Sequence, residues 1–167
     1  MVKNHLKRFA SPGFWTLNRK HRKWCIKPSP GPHKLSLCVP LGLIIRDVLN
    51  YADSAKEMRL LLNRGVVSVD GVVRKESKFP VGLMDVLGVD DMRARVLFDR
   101  AMKVVLVPVK SGNENKKLLR VIGKRMVKGG KLQVTFHDGR NILLDKFDGN
   151  VGDSVLSVSY THLTLPT

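Results

Sequence analysis

Apolar residues fall into a regular pattern only after residue 40. Leu41, Ile44, Ile45, Val48 and Leu49 recur at the three- and four-residue steps that line one face of a helix, and Pro40 suits a first helical turn. A second helix is signalled at both ends. Ser54 stands three residues before Glu57 in capping-box order, Met58, Leu61 and Leu62 follow, and Gly65 supplies a stop, which predicts a helix over residues 55–64. Residues 66–73 are then rich in valine around Asp70-Gly71, a pair that favours a two-residue type I′ turn, so a hairpin is expected. Beyond the polar loop 74–78, Pro80 and Gly82 interrupt the chain, and 83–89 reads as a closing strand.

From residue 95 to 156 the pattern changes to short β-like runs at 96–98, 104–107, 132–136 and 142–144. Gly129-Gly130 and Asp138-Gly139 mark hairpin turns, and 115–121 has room for one or two helical turns. The whole predicts an α+β fold: helices in the middle of the chain, then a small β-rich, barrel-like or sandwich-like domain.

Residues 1–40 follow neither period. They hold basic clusters, interleaved aromatics (Phe9, Phe14, Trp15, Trp24) and the Pro/Gly-rich stretch Lys27-Pro28-Ser29-Pro30-Gly31-Pro32-His33, and are read as an extended basic arm. A disordered basic tail is the plain alternative. The aromatic rings argue against it, because they can stack on bases or tuck against a neighbouring fold.

Charge turns this organisation toward function. The chain of 167 residues carries 30 Lys and Arg against 14 Asp and Glu, a formal net charge of +16. Ten of those bases and no acid precede Asp47, which leaves +6 downstream. A polyanion is the natural partner of such a segment, since each neutralised phosphate releases condensed counterions. Anionic membrane is the competing polyanion, but no stretch approaches the ~20 apolar residues a span needs and no signal-peptide order is visible. Cys25 and Cys38 are too few for a disulfide framework and suit a reducing compartment, so the chain is read as cytoplasmic. With His21 and His33 they make a four-residue set without the paired C-x2-C knuckle of zinc motifs; isolated thiols and RNA-facing imidazoles are the preferred reading, and neither metal nor cofactor is expected.

Catalytic signals are weak. Asp85 stands alone, His137 and Asp138 are explained by an Asp-Gly turn, and Lys128-Gly129-Gly130-Lys131 lacks phosphate-loop spacing and reads as a basic hairpin turn. No small-molecule substrate is expected. Lys56, Arg59 and Asn63 stand at three- and four-residue steps and with Arg64 can share one helix face, where guanidinium groups suit bidentate phosphate contact; a merely solvated face is the alternative.

The unit Ser54-x2-Glu57-x-Arg59-x3-Asn63-Arg64-Gly65-Val66-Val67-Ser68-Val69-Asp70-Gly71 resembles the S4 RNA-binding domain. Read outward, His5-Leu6-Lys7-Arg8, Ser29-Pro30-Gly31-Pro32-His33-Lys34-Leu35, Phe79-Pro80-Val81-Gly82-Leu83-Met84-Asp85-Val86, His137-Asp138-Gly139-Arg140-Asn141-Ile142 and Val151-Gly152-Asp153-Ser154 together resemble the archaeal branch of the S4e ribosomal proteins. That resemblance implies a basic N-terminal arm (1–40), an S4-type domain of two helices and a hairpin (41–92) and a central β-rich domain (93–157). It also implies a structural role on the small ribosomal subunit, with rRNA and neighbouring ribosomal proteins as partners. RNA contacts are expected in the arm at Lys3, His5, Lys7, Arg8, Arg19, Lys20, Arg22, Lys23, Lys27, His33 and Lys34. Further along they are expected at Arg46, Ser54, Lys56, Arg59, Asn63, Arg64, Arg74, Lys75 and Lys78, and at Lys128 and Lys131. The segment 15–24 departs from the family's usual spelling. An RNA-modifying enzyme carrying an S4-type module is the alternative, but about 70 residues after the module are too few for a catalytic domain.

The last ten residues, 158–167, resemble the conceptual translation of a sequencing-library adaptor. The authentic sequence is expected to be truncated near Ser157, short of a further small barrel, and the tail is set aside.

Overall fold

The computed structural model describes residues 5–110, 112–158 and 163–164, the last pair by backbone alone. Lys3 and most of the 158–167 tail lie outside the described residues. The chain forms two compact units, residues 1–111 and 112–167, with few helices and mostly sheet.

The first unit is built on an antiparallel sheet in the order β5-β4-β7-β8-β9. Its strands are β4 (Val67–Val69), β5 (Val72–Val73), β7 (Val86–Val89), β8 (Met92–Phe98) and β9 (Val104–Pro108). The β4–β5 hairpin turns at Asp70 and Gly71, whose φ values of 50° and 78° are the double positive that a type I′ turn requires. Helix α1 (Leu41–Leu43) starts after Pro40, which caps it from outside, and widens into a π-turn over Ile44–Val48. Helix α2 (Ala55–Arg64) has the predicted bounds, with the Ser54–Glu57 capping box formed and Gly65 left-handed at φ 78°. Leu41, Leu43, Ile44, Ile45, Met58 and Leu62 share one core with Val67, Val69, Leu87, Val89, Val96 and Val104.

Residues 5–40, read from sequence as an extended basic arm, pack against the rest of the first unit. Strands β1 (Leu6–Lys7) and β2 (Trp24–Cys25) pair with each other, and β3 (Val39–Pro40) pairs with β6 (Pro80–Val81). Trp15 is 1% exposed, its Nε1–H donating to the Cys38 carbonyl at 2.9 Å. Phe14 sits edge-on to Phe98 at 5.7 Å, and Val104 N–H donates to the Phe14 carbonyl at 3.0 Å. A buried Trp removes on the order of 200 Å² from water, equivalent to ~5 kcal/mol of transfer free energy, which helps offset the ordering of a segment without local periodicity.

Two further local expectations change. Residues 83–85 form a turn, with Met84 at φ 70°, so the closing strand is only β7. The expected division after residue 92 falls inside the sheet, because β8 pairs with β7 on one side and β9 on the other.

In the second unit, β10 (Lys116–Met126), β11 (Leu132–Phe136), β12 (Asn141–Leu144), β13 (Ser154–Val158) and β14 (Leu163–Thr164) are ordered β12-β11-β10-β13-β14. The stretch 115–121, expected to hold helical turns, is strand from Lys116 on. Leu119 and Val121 alternate inward with Lys117, while Lys116, Leu118 and Arg120 face out, a two-residue period too short to separate from helix in sequence. Strand β10 pairs with β13 through residues 116–120 and with β11 through 121–126, the register shifting between Val121 and Gly123. Leu119, Val121, Val134, Phe136 and Val155 form the core, beside the buried pair of Lys117 Nζ and Asp138 Oδ2 at 3.3 Å.

Candidate nucleic-acid interface

Helix α2 buries Met58 and Leu62 and leaves Lys56, Arg59, Asn63 and Arg64 exposed on the opposite side. Its one acid, Glu57, is committed to the cap: the carboxylate accepts from the N–H groups of Asp53 (2.9 Å) and Ser54 (3.3 Å), bonds that hold its pKa below the usual carboxylate value. The Ser54 hydroxyl is spent on Glu57 N–H at 3.2 Å. What remains toward solvent is Lys56, Arg59, Asn63 and Arg64 with Leu60, 51% exposed, among them, so the charges left on this face are positive. Beyond the hairpin, Lys75 and Lys78 are exposed, while Arg74 lies over the Phe79 ring at 4.5 Å.

Residues of the N-terminal segment separate into two sets. His5, Lys7, Lys20, Arg22, Lys23 and Lys34 are exposed. Arg22 Nη2 donates to the Asp53 carbonyl at 2.8 Å, which ties this basic run to the start of α2. Arg19 is half-buried and reaches the carbonyls of Phe9, Ser11 and Pro12 at 3.3–3.4 Å. Lys27 is half-buried and, with Lys78, Pro28 and Pro30, lines an open cavity of about 580 Å³.

Arg8 and His33, expected from sequence to contact RNA, are buried inside the fold. Arg8 is 0% exposed, paired with Asp47 and donating through Nη1 to the Asn18 carbonyl at 2.7 Å. Asp47 is shared with the partly buried Arg46, whose Nη2 lies 2.7 Å from it. His33 Nε2 is 2.9 Å from Asp85 Oδ2, the same oxygen that accepts Gly82 N–H at 2.8 Å. Gly31 packs so closely that an added Cβ would lie 2.6 Å from Pro80 Cγ, and Ser29 N–H donates to the Lys78 carbonyl at 2.9 Å. The two motifs around 29–35 and 79–86 are therefore two sides of one contact.

In the second unit, Lys128 and Lys131 are exposed about the Gly129-Gly130 turn, together with Arg125, which sequence reading passed over although it lies in the same basic run. Asp138 serves the turn, its Oδ1 accepting Arg140 N–H at 3.1 Å, and His137 Nδ1 accepts Arg120 N–H at 3.1 Å, so the two are not an acid–base pair. Among the described residues no three His, Cys, Asp or Glu side chains come together as a metal site, and no helix is long and apolar enough to cross a membrane. Burial raises the Cys38 thiol to about 11 and Cys25 in the same direction.

Comparison with known proteins agrees with the motif reading. The model of Ribosomal family S4e matches residues 91–159, and that of the RS4NT (NUC023) domain matches residues 2–36. The small ribosomal subunit protein eS4 of Pyrobaculum neutrophilum is 50% identical over 143 residues, covering 84% of this chain and 60% of that protein. The protein of the same name from Methanothermobacter thermautotrophicus is 46% identical over 155 residues, 92% of this chain and 64% of that one. The chain thus spans a little under two thirds of the length of these relatives. The crystal structure of the 30S ribosomal protein S4e from Thermoplasma acidophilum superposes with a TM-score of 0.66 at 34% identity, covering 77% of this chain and 68% of the other.

Proposed function

Because the chain belongs to the ribosomal S4e family, which is a family of ribosomal proteins and not of enzymes, we propose that it is a structural constituent of the small ribosomal subunit, cytoplasmic and ribosome-bound, that holds rRNA and touches neighbouring ribosomal proteins. Helices α1 and α2 with the β4–β5 hairpin act as an S4-type RNA-binding domain, and the second unit acts as the barrel-like central domain of the family. The observation that carries the reading is the face of α2: Lys56, Arg59, Asn63 and Arg64 are exposed together while the helix's only acid is bound to its own N-terminus. Such a face recognises phosphates and the shape of folded RNA, with little reading of base edges. Lys7, Lys20, Arg22, Lys23, Lys34, Lys75 and Lys78 extend it in the first unit, and Lys128 and Lys131 supply contacts from the second.

The test is binding of the chain to small-subunit rRNA over a salt series, with duplex DNA of equal length as competitor. Selective binding is expected, and substituting Arg59 and Arg64 together by Ala flattens the plot of log K against log salt by up to about two units, roughly one per lost phosphate contact. An unchanged slope removes α2 from the interface, and equal binding to DNA reduces the chain to a nonspecific polycation.

A further inference from the structure

The two tryptophans of the chain are treated in opposite ways. Trp15 is 1% exposed in the core, whereas Trp24 is 47% exposed although it lies only nine residues on. An exposed indole is held in place here. Its backbone is fixed by the β1–β2 pair, in which Lys7 is opposite Trp24 and Leu6 opposite Cys25. His5 meets its ring edge-to-face, with centroids 5.1 Å apart and planes at 84°, and Lys23 Nζ stands 5.4 Å from the ring centroid. Lys7 and Lys23 beside it are exposed, as are Lys20 and Arg22 two to four residues earlier in the chain, and no acid precedes Asp47 in the sequence.

We propose that Trp24, oriented by His5 and Lys23, is a stacking platform for one unpaired nucleobase of a single-stranded RNA segment whose phosphates lie on the flanking lysines and Arg22. A base has an apolar π-face for the indole and a phosphate on either side, the two features this patch offers within a few residues. The surrounding charge favours RNA over an apolar protein surface, since desolvating several lysines against an uncharged partner is unfavourable. A rigid ring also loses little conformational freedom when a base settles on it. The proposal rests on the RNA-binding reading above but concerns a different contact, a base face in place of phosphates on α2.

The experiment follows tryptophan emission of the full chain during titration with a single-stranded oligoadenylate and with an abasic oligomer of the same phosphate count. The oligoadenylate is expected to quench the exposed emission, while the abasic oligomer binds with a similar salt slope and little quenching. Trp24→Leu is expected to weaken oligoadenylate binding about tenfold and abasic binding hardly at all. Trp24→Phe, which keeps a π-face, recovers part of the loss. Equal behaviour of the two oligomers, or an unchanged affinity of Trp24→Leu for oligoadenylate, overturns the platform; if rRNA binding with its salt slope persists at the same time, the ribosomal reading stands without it. Quenching by an acidic peptide and not by oligoadenylate overturns it in favour of a protein contact, and failure of the unsubstituted chain to bind any RNA overturns both.

Discussion

Asp47→Ala is expected to be among the most damaging single substitutions in the first unit. Arg8 is 0% exposed, and apart from the carboxylate of Asp47 its side chain donates to the Asn18 carbonyl at 2.7 Å. Removing Asp47 leaves that buried guanidinium without its counter-charge and removes the carboxylate it shares with Arg46, whose Nε and Nη2 lie 3.0 and 2.7 Å from Asp47. Breaking one side of a buried pair costs about 3–5 kcal/mol, a large part of the ~5–15 kcal/mol that holds a domain folded. Arg8→Met should be much milder, because it removes the buried charge and leaves Asp47 with Arg46. The double variant should recover most of the loss. Urea unfolding read from the emission of buried Trp15 measures the first unit. With a slope of ~2 kcal/mol per molar, the Asp47→Ala midpoint falls by about 2 M. A fall under about 0.3 M, or Arg8→Met as damaging as Asp47→Ala, would refute this account of how the N-terminal segment is held.

The remaining predictions concern the cap, a thiol and a close contact. Glu57 has a lowered folded pKa, so its capping contribution is present above the unfolded carboxylate pKa of ~4.3 and is lost as pH falls through the folded value; Glu57→Gln should be less stable than the parent near neutrality and equal to it in strong acid, as followed by circular dichroism. Cys38, raised to about 11 by burial, should stay a thiol at pH 8 and react with a disulfide reagent far more slowly in the folded chain than in urea; equal rates would contradict its burial. Gly82→Ala places a Cβ against the His33 ring and should destabilise by about 1–3 kcal/mol through loss of the His33–Asp85 contact, whereas Gly123→Ala meets no atom within 4 Å and serves as the control in thermal unfolding.

What could be read from sequence was what neighbouring residues decide. Ser54, Glu57 and Gly65 specify both ends of α2 within twelve positions, and Asp70-Gly71 selects its turn by the backbone angles those residues tolerate. The cationic face of α2 was legible for the same reason, since helical spacing alone brings Lys56, Arg59 and Asn63 together. The fate of Arg8 was not legible. Its partner Asp47 is 39 residues away, and a basic residue in a basic stretch looks solvent-facing until that partner is seen. His33 likewise meets Asp85 across 52 residues. Lys117 misled in the opposite sense: a lysine on the inward row of β10 breaks the apolar alternation that would have marked a strand, and its pairing with the Asp138 carboxylate accounts for a charge in that row.

The closures that tie the N-terminal segment to the sheet also set a timetable. Lys103 Nζ donates to the Gly13 carbonyl and Thr16 Oγ1 to the Val104 carbonyl, contacts that span 90 and 88 residues. At ~5–20 residues per second of translation, the segment made first waits on the order of 4–18 s for the strand that will hold it. During that interval Phe14 and Trp15 lack the strand they pack against, whereas Arg8 waits only for Asp47, 39 residues on. A nascent chain of this design is most exposed to chaperones, or to premature capture by a polyanion, early in its own synthesis, and slowing translation between residues 50 and 104 would lengthen that window without altering the finished protein.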